Sequence, residues 1–518
     1  MSTQEALLAE NAALREALAR EQREAARLRH NIEVLERMVY GPRTERRAGE
    51  DPADRLQGVL AFATLAAQGE ERAKVEGATA STTPAEPEKR EKQGRRSTFP
   101  RHLPRIRTTF RLPEEKRACA CGGRLEPLGE DVTQELERIE VTVVHEVARE
   151  KYACAACKAA VVTAPGPSRV IDKGLLGVGF LAHVLTERFQ HHMPYHRQEQ
   201  KHASEGLSLS RSVLCTSALR CADLLEPVYA ELKREAFSGD FLGTDDTSVS
   251  LQEGSDGTSR RAFVWLYRDL AQRHVFDFTE SHSREGPAAM LAGFHGYLQA
   301  DAAPVYDRFF VPGGPREVGC WAHARRKFVD AESSDPTLAG EALRRIRLLY
   351  DVEQRAKELE PAARLTLRQA EARPVLDALF GWMGEVRGQV LDRSPMGEGL
   401  DYALRNRAAL TRYLEDGRLP IDNNAVERGL RGVAVGRKNW MNVGNEEGGR
   451  RAAILYSLVE TCKAIGVDPR EYFRDVLLRI STCSEVAKLT PHGWKQHFQA
   501  AVAAQRQAVL DRLLAGAR

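Results

Sequence analysis

Apolar residues near the start of the chain recur at alternating steps of four and three: Leu7, Leu14, Leu18, Ala25, Leu28, Ile32, Leu35 and Val39, with Asn11 and Glu21 in the same register. A sustained 3.5-residue period predicts a left-handed coiled coil over residues 1–41, stopped by Gly41-Pro42. Asn11 inside that seam costs stability but favours a paired, in-register dimer, so a homo-oligomer is expected. The periodicity then fades into "GATASTTPAEPEKREK", a composition that suits a flexible linker.

The alternation characteristic of strands returns in "QELERIEVTVVHEVAREKYA" (134–153), which predicts a β-hairpin between "RACACGGRL" and "KYACAACKA". Helical spacing follows across "MPYHRQEQKHASEGLSLSRSVLCTSALRCADLL". The pattern gives a helix, a turn at Gly206 and a second helix starting near Ser210-Arg211-Ser212, capped by Ser208 or Ser210. That is the shape of a helix-turn-helix, although two helices joined by a glycine turn are common in any fold.

From Phe241 the period shortens again. "FLGTDDTSVSL" reads as a strand ending at Asp245-Asp246 and then a second short strand; "RAFVWLYRD" and "HVFDFTE" continue an antiparallel meander. A helix near Gly286 to Phe294 leads to a short strand ending at Asp301, and "REVGCWAHARRKF" gives another strand and a basic helix. These elements predict a mixed α/β sheet. More than a hundred residues separate Asp301 from Glu427, and a helical insertion over about 331–405 accounts for most of them.

The whole reads as a multidomain chain. Residues 1–41 form a coiled-coil dimerisation helix, 42–111 a linker and basic arm, and 112–168 a Cys-rich module. Residues 169–237 form a helical, helix-turn-helix-like region, 238–462 an α/β domain with its insertion, and 463–518 a helical tail.

Composition narrows this picture without changing it. A 518-residue chain that is 42% apolar can fill more than one core. Neither a bilayer-spanning apolar run nor the basic-then-apolar pattern of a signal peptide is present, so a cytoplasmic protein without a membrane partner is expected. The net charge of +3 is too small to argue for nucleic acid by itself. Local charge says more. "KREKQGRRSTFPRHLPRIRTTFR" (89–111) sets nine Lys or Arg against the single Glu91, and Gly94, Pro100 and Pro104 keep it from forming one helix. An extended arm with Arg95 and Arg96 could follow a phosphate backbone or a minor groove; a solvated linker is the other reading.

Nine cysteines, four of them in two close pairs, fit metal ligation better than a disulfide framework in a chain of this size. Cys119 with Cys121 and Cys154 with Cys157 could close a tetrahedral zinc site and supply folding energy to a small β module. The first pair is C-x-C, which bends around one metal less easily than C-x2-C, and free thiols stay open as an alternative.

The acids carry the chemistry. Asp245 and Asp301 at the ends of two strands, joined by Glu427 from a helix that starts after Asp422-Asn423-Asn424, make an oxygen-rich set suited to Mg²⁺. Two such ions could activate water or a 3′-hydroxyl for in-line phosphoryl displacement. Arg431, Arg437 and Lys438 follow closely and could hold a polyanion there. For each acid taken singly, an N-cap or a salt-bridge partner is the competing reading.

The blocks "GTDDTSV", "AAMLAGFHGYLQAD", "EVGCWAHARRKF", "DNNAVERGLRGVAVGRKNWM" and "AAILYSLVETCKAIGVDP" resemble, in order, the signature blocks of the insertion-sequence 66 family of transposases. "YGPRTERR", the Cys module, "MPYHRQEQ" and "LTPHGWKQHF" extend the likeness over nearly the whole chain. The resemblance implies an RNase H-like catalytic domain of the DDE type that uses Mg²⁺ or Mn²⁺ to cut and join DNA. It implies a metal-binding module before a helical DNA-binding region, with terminal repeats and target DNA as partners and small accessory proteins from the same element. Carried over by position, the triad is Asp245, Asp301 and Glu427; Asp246 stands where the family usually has Glu. Trp321, His323, Arg325 and Arg326 match the family's basic helix, which would touch DNA or the sheet. With Arg95, Arg96, Arg211, Arg431, Arg437 and Lys438, Arg325 and Arg326 complete the expected DNA contacts. Such a protein would be nucleoid-associated when bound. A transposase-derived regulator without catalysis, or a metal-dependent nuclease without strand transfer, would share most of these features.

Overall fold

The computed structural model describes residues 21, 28, 142–153, 161–163, 169–172, 174–253 and 258–516. Glu21 lies in helical backbone, as does Leu28; the remainder of the expected coiled coil, Arg95, Arg96 and the four paired cysteines lie outside the described residues. Two compact units emerge, one containing Tyr229–Ala464 and the other drawn from Arg95–Val228 and Ile465–Arg518.

In the second unit, Lys151–Ala153 pairs antiparallel with Val161–Thr163, with Tyr152 opposite Val162. This ladder brackets Cys154 and Cys157 instead of preceding them. Residues 142–150, expected as strand, have no regular structure, so the alternation of Val143 and Val147 with charges is not used for pairing there. Helices α1 (Val178–Phe189) and α2 (Tyr195–Ser204) are followed by the long α3 (Arg211–Phe237). Gly206 supplies the left-handed turn at φ 82°, a conformation without steric cost only for glycine, and Ser210 Oγ accepts from Val213 N at 3.4 Å to start α3. Leu181, Val184, Leu185 and Phe189 form the buried stripe of α1, which packs on the helix Pro469–Arg479 through Tyr472, Phe473, Val476 and Leu477.

The first unit is built on a mixed sheet. Its strands are β1 (Phe241–Glu253), β2 (Thr258–Arg268), β3 (His274–Thr279), β4 (Tyr297–Gln299) and β5 (Arg316–Val318), in spatial order β3-β2-β1-β4-β5. β1, β2 and β3 form the antiparallel meander; β4 and β5 run parallel to β1. Helix α4 (Glu285–Leu291) connects β3 to β4. β1 does not break at the acid pair. It runs unbroken for 13 residues because every residue from Gly243 to Glu253 finds a partner on β2, so ladder pairing overrides the low strand propensity of aspartate.

After β5 come α5 (Trp321–Ala331), α6 (Pro336–Ala356), α7 (Arg373–Arg387) and α8 (Pro395–Arg405). They bury one shared core through Trp321, Phe328, Ile346, Leu349, Phe380 and Leu400. Buried Arg368 is neutralised within this block by Glu353 at 2.8 and 2.7 Å and donates to the Tyr413 carbonyl at 2.9 Å. Helical structure continues past residue 405 to Leu414. The chain returns to the sheet with α9 (Asn424–Trp440), the two-residue strand β6 (Asn442–Val443) beside β1, and α10 (Glu446–Ala464). Edge strand β3 is covered by α10, whose Ser457 and Thr461 hydroxyls accept from Phe276 N at 2.8 Å and His274 N at 3.0 Å. No helix among the described residues is long and apolar enough to cross a membrane.

Candidate active site

Asp245 and Asp301 come together through sheet register. β1 and β4 run parallel with Gly243 opposite Gln299, so two residues further along each chain Asp245 and Asp301 are level. Asp301 lies just beyond β4, where the backbone turns sharply: Ala302 has φ 61°, and Ala303 N donates to Asp301 Oδ1 at 3.1 Å. From the helical block, Tyr402 donates to the Asp301 carbonyl at 3.3 Å.

The third acid arrives on α9, which starts hard against β1. A Cβ on Gly243 would fall 2.7 Å from Val426 Cγ2 and 3.0 Å from Asn423 Oδ1, so only glycine admits the helix at this separation. Buried Asn423 holds the junction: its Nδ2 donates to the Thr244 carbonyl at 2.9 Å and its backbone N–H to Cys320 Sγ at 3.2 Å. Glu427 stands in the first turn of α9, its side chain 41% exposed, with His323 Nε2 of α5 at 3.9 Å from its carboxylate and its charge acting on Asp245.

Burial pushes the Asp245 carboxyl up to about 7; the Asp246 N–H opposes the shift, and the charges of Asp301, Asp246 and Glu427 add to it. Asp246, its neighbour on the strand, points to the opposite face by alternation. Burial raises its carboxyl too, countered by His282, whose Nε2 donates to Asp246 Oδ1 at 3.0 Å. The His282 ring lies stacked on Trp265 at 5.1 Å, and Trp265 Nε1 donates to Thr279 Oγ1 at 2.7 Å. Beneath the acids, Tyr306 shares a 3.1 Å hydrogen bond with Thr244 Oγ1, and burial keeps its phenol protonated.

All-carboxylate donors suit a hard divalent ion, and a cation would offset the repulsion that adds to the burial-driven rise of Asp245. Yet among the described residues no three His, Cys, Asp or Glu side chains are placed to hold one ion together. The acids lie within electrostatic reach of one another without forming a closed coordination sphere.

The cations expected beside Glu427 divide. Arg431 and Lys438 are exposed on α9. Arg437 instead turns inward, donating to Thr247 Oγ1 at 2.8 Å and to the Ser248 carbonyl, where it fastens α9 to β1. Arg325 is half-buried and Arg326 exposed on α5. Arg211 is exposed at the start of α3, its backbone N–H donating to Glu199 Oε1 at 3.1 Å. Asp422 accepts from Tyr350 OH at 3.1 Å and Asn424 N at 3.2 Å, and of the three acids it is Glu427 whose charge acts on it. Sequence reasoning missed Asn423 and His282 as organisers of this site. The Asp422-Asn423-Asn424 run was a visible signal for the first, whereas nothing local ties His282 to an aspartate 36 positions away.

Known proteins match the chain in the same order. The family model for the transposase IS66 family covers residues 173–451, and that for the IS66 C-terminal element covers 457–492. The zinc-finger binding domain of transposase IS66 matches 116–158, and the family described as transposase C of IS166 homeodomain matches 27–108. Similar proteins include two uncharacterized proteins of Sinorhizobium fredii. Protein y4hP is 31% identical over 497 residues, 91% of this chain and 89% of the relative. Protein y4jD is 31% identical over 498 residues, 90% of this chain and 94% of the relative.

Proposed function

The chain belongs to the IS66 transposase family, and on that premise we propose that it is a DDE-type DNA transposase that cuts the ends of a mobile element and joins them to target DNA. The observation that carries this reading is that the charges of Asp301 and Glu427 both act on Asp245, three acids from one strand, the turn after its parallel neighbour and a helix packed on the first strand. The same arrangement supports an RNase H-like catalytic unit. Asp245, Asp301 and Glu427 would hold Mg²⁺ or Mn²⁺, which supplies Lewis-acid stabilisation of the phosphoryl group.

In the first step the oxygen of water bonds to phosphorus as the bond to the 3′-oxygen breaks, leaving a 3′-hydroxyl. In the second, that hydroxyl attacks a target phosphodiester and releases a target 3′-hydroxyl. The protein's own groups position and steer. Asn423 and Arg437 fix α9, and hence Glu427, on β1; His323 steadies Glu427; the Asp246–His282 pair anchors the loop after β3. Exposed Arg326, Arg431 and Lys438 draw the phosphate backbone and read little sequence. Arg325 would lend further charge from α5, Arg211 would approach a groove, and Arg95 and Arg96 would track the backbone. Zinc on Cys119, Cys121, Cys154 and Cys157 would stiffen the module ahead of the helices. Pairing through the N-terminal coiled coil would bring two element ends together, with accessory proteins of the element assisting, in the cytoplasm at the nucleoid.

A regulator without catalysis is the competing reading, and the open arrangement of the acids favours it. Purified protein, labelled element ends and Mg²⁺ separate the two: joined products support the transposase, cleavage alone a nuclease, and binding alone the regulator.

A further inference from the structure

The first turns of α3 are divided sharply between a packed side and an open one. Leu214, Ala218, Cys221, Ala222 and Leu225 are buried. On the opposite side Ser212, Thr216 and Arg220 are exposed, and a spacing of four residues stacks them along one face of the helix. From Ser212 to Arg220 the row is about 12 Å long at ~1.5 Å per residue. Arg220 forms no ion pair among the described residues, and Arg211 is exposed at the head of the helix. No Asp or Glu occurs from Ser210 to Ala222; the acids begin at exposed Asp223 and continue at exposed Glu226. The start of this face is fixed to α2. Leu207 N donates to the His202 carbonyl at 2.8 Å after the left-handed turn at Gly206, and Arg211 N donates to Glu199 Oε1 at 3.1 Å. The two acids nearest the start are thus engaged, Glu199 by Arg211 N and Glu205 by His202 Nδ1 at 3.3 Å.

Two hydroxyls and a guanidinium in line on one exposed helix face are suited to base edges. A guanidinium matches the N7 and O6 acceptors of guanine as a fork, and a hydroxyl donates or accepts as the base requires. We infer that Ser212, Thr216 and Arg220 are the sequence-reading row of this chain, seated in the major groove of the element end with Arg220 on a guanine. The inference rests on the transposase reading for its DNA and deepens it, because the exposed cations of α5 and α9 meet phosphate and read little sequence. The major groove admits an α-helix, and a 12 Å row spans about three to four base pairs at ~3.4 Å each. Charge sets how far the helix enters. The basic turns up to Arg220 are drawn to the polyanion, whereas Asp223 and Glu226 are repelled by phosphate, so the row ends where the acids begin. Arg211, at the head of the helix, takes a flanking phosphate.

The test uses the full chain in buffer without Mg²⁺, where binding is read without cleavage, and compares a duplex carrying the element end with a scrambled duplex of the same composition. Arg220→Ala lowers affinity for the element end roughly tenfold to a hundredfold and for the scrambled duplex about threefold or less, so the preference collapses. Thr216→Val keeps the shape, removes the hydroxyl and lowers the preference about threefold to tenfold. Glu226→Ala, exposed beyond the row, leaves the preference alone. 7-Deazaguanine, which pairs normally but lacks the N7 acceptor, is placed at each guanine of the element end in turn. At one position it weakens binding by the unaltered protein and costs the Arg220→Ala protein nothing further. Unchanged melting temperatures establish that the variants fold. A preference that survives in Arg220→Ala, with the same 7-deazaguanine profile as the unaltered protein, overturns the reading row. Cleavage of element ends by the unaltered protein in Mg²⁺ is scored separately. A preference lost in Arg220→Ala, without any cleavage by the unaltered protein, sinks the transposase reading and leaves the row standing; cleavage with the preference intact in the variant does the reverse.

Discussion

Asn423 Nδ2 reaches the Thr244 carbonyl at 2.9 Å, and this contact joins the helix that carries Glu427 to the strand that carries Asp245. Asn423 is buried and the carbonyl has no strand partner on that side, so Asn423→Ala strips a buried acceptor of its donor. The expected loss of stability is about 1–3 kcal/mol in chemical denaturation. Cleavage of element ends should fall more than DNA affinity does, because the third acid loses its placement while the exposed cations stay. Parallel losses in binding and cleavage would argue against a positioning role.

Asp245 is predicted to weaken the metal-free fold as pH rises. Its carboxyl is raised to about 7 in the folded chain, chiefly by burial, against an ordinary value of 3.8. The folded state therefore prefers the protonated acid. The penalty is absent below the ordinary carboxylate range, grows as pH climbs from about 4 through about 7, and is complete above that. Asp245→Asn removes it and should stabilise the metal-free protein at pH 8 by on the order of 2–4 kcal/mol, with little effect at pH 4. Melting curves of both proteins across that range, in chelator, check it. Equal pH dependence in the two would remove burial of Asp245 as the cause.

These two predictions show what was legible in the sequence. The α9 block was readable because its Asn-Asn start, glycines and apolar stripe sit within one short stretch, and the meander followed from period-two runs. The uninterrupted course of β1 through Asp245-Asp246 was not, since two aspartates argue locally for a strand end and only their partners on β2, Leu266 and Trp265, 21 and 19 positions on, reverse that. Nor was the inward turn of Arg437, whose partner Thr247 is 190 positions away. The hydroxyls of Ser457 and Thr461 look like interruptions of an apolar helix until the exposed edge of β3 is seen to need acceptors.

That covering of β3 gives a third prediction. Ser457→Ala leaves the Phe276 N–H without its acceptor and should cost about 1–3 kcal/mol. Ser457→Val adds bulk at a fully buried position and should cost more. Hydrogen exchange at Phe276, measured alongside chemical denaturation, separates a local opening of the edge from global unfolding. Protection at Phe276 that falls no further than global stability would deny the hydroxyl its local role.

For the Cys-rich module, chelation is the informative perturbation. The match of 116–158 to a zinc-finger binding domain supports a bound ion, and four thiolates make a closed structural site. About one zinc per chain should be released by denaturation in the unaltered protein. Cys157→Ser should release almost none and should lose affinity for element ends while the sheet domain melts as before. Full zinc content in Cys157→Ser would move the ligand set elsewhere.

Asp301 and Asp422 provide the sharpest contrast, because each is coupled by charge to one acid of the triad and their hydrogen-bond partners differ. Asp301 is level with Asp245 and its charge helps to raise the Asp245 carboxyl, whereas Asp422 accepts hydrogen bonds from Tyr350 and Asn424 and, of the triad, is coupled to Glu427. Burial raises the Asp422 carboxyl, so its charge is costly there and an amide oxygen can accept the Tyr350 hydroxyl in its place. Asp422→Asn should keep cleavage within about threefold and stability within about 1 kcal/mol. Asp301→Asn preserves side-chain size but removes a charge that a divalent ion needs, and should lower cleavage on the order of a thousandfold while binding to element ends stays nearly unchanged. Comparable cleavage by the two variants would separate Asp301 from the chemistry, and with it the pairing by register that places it beside Asp245.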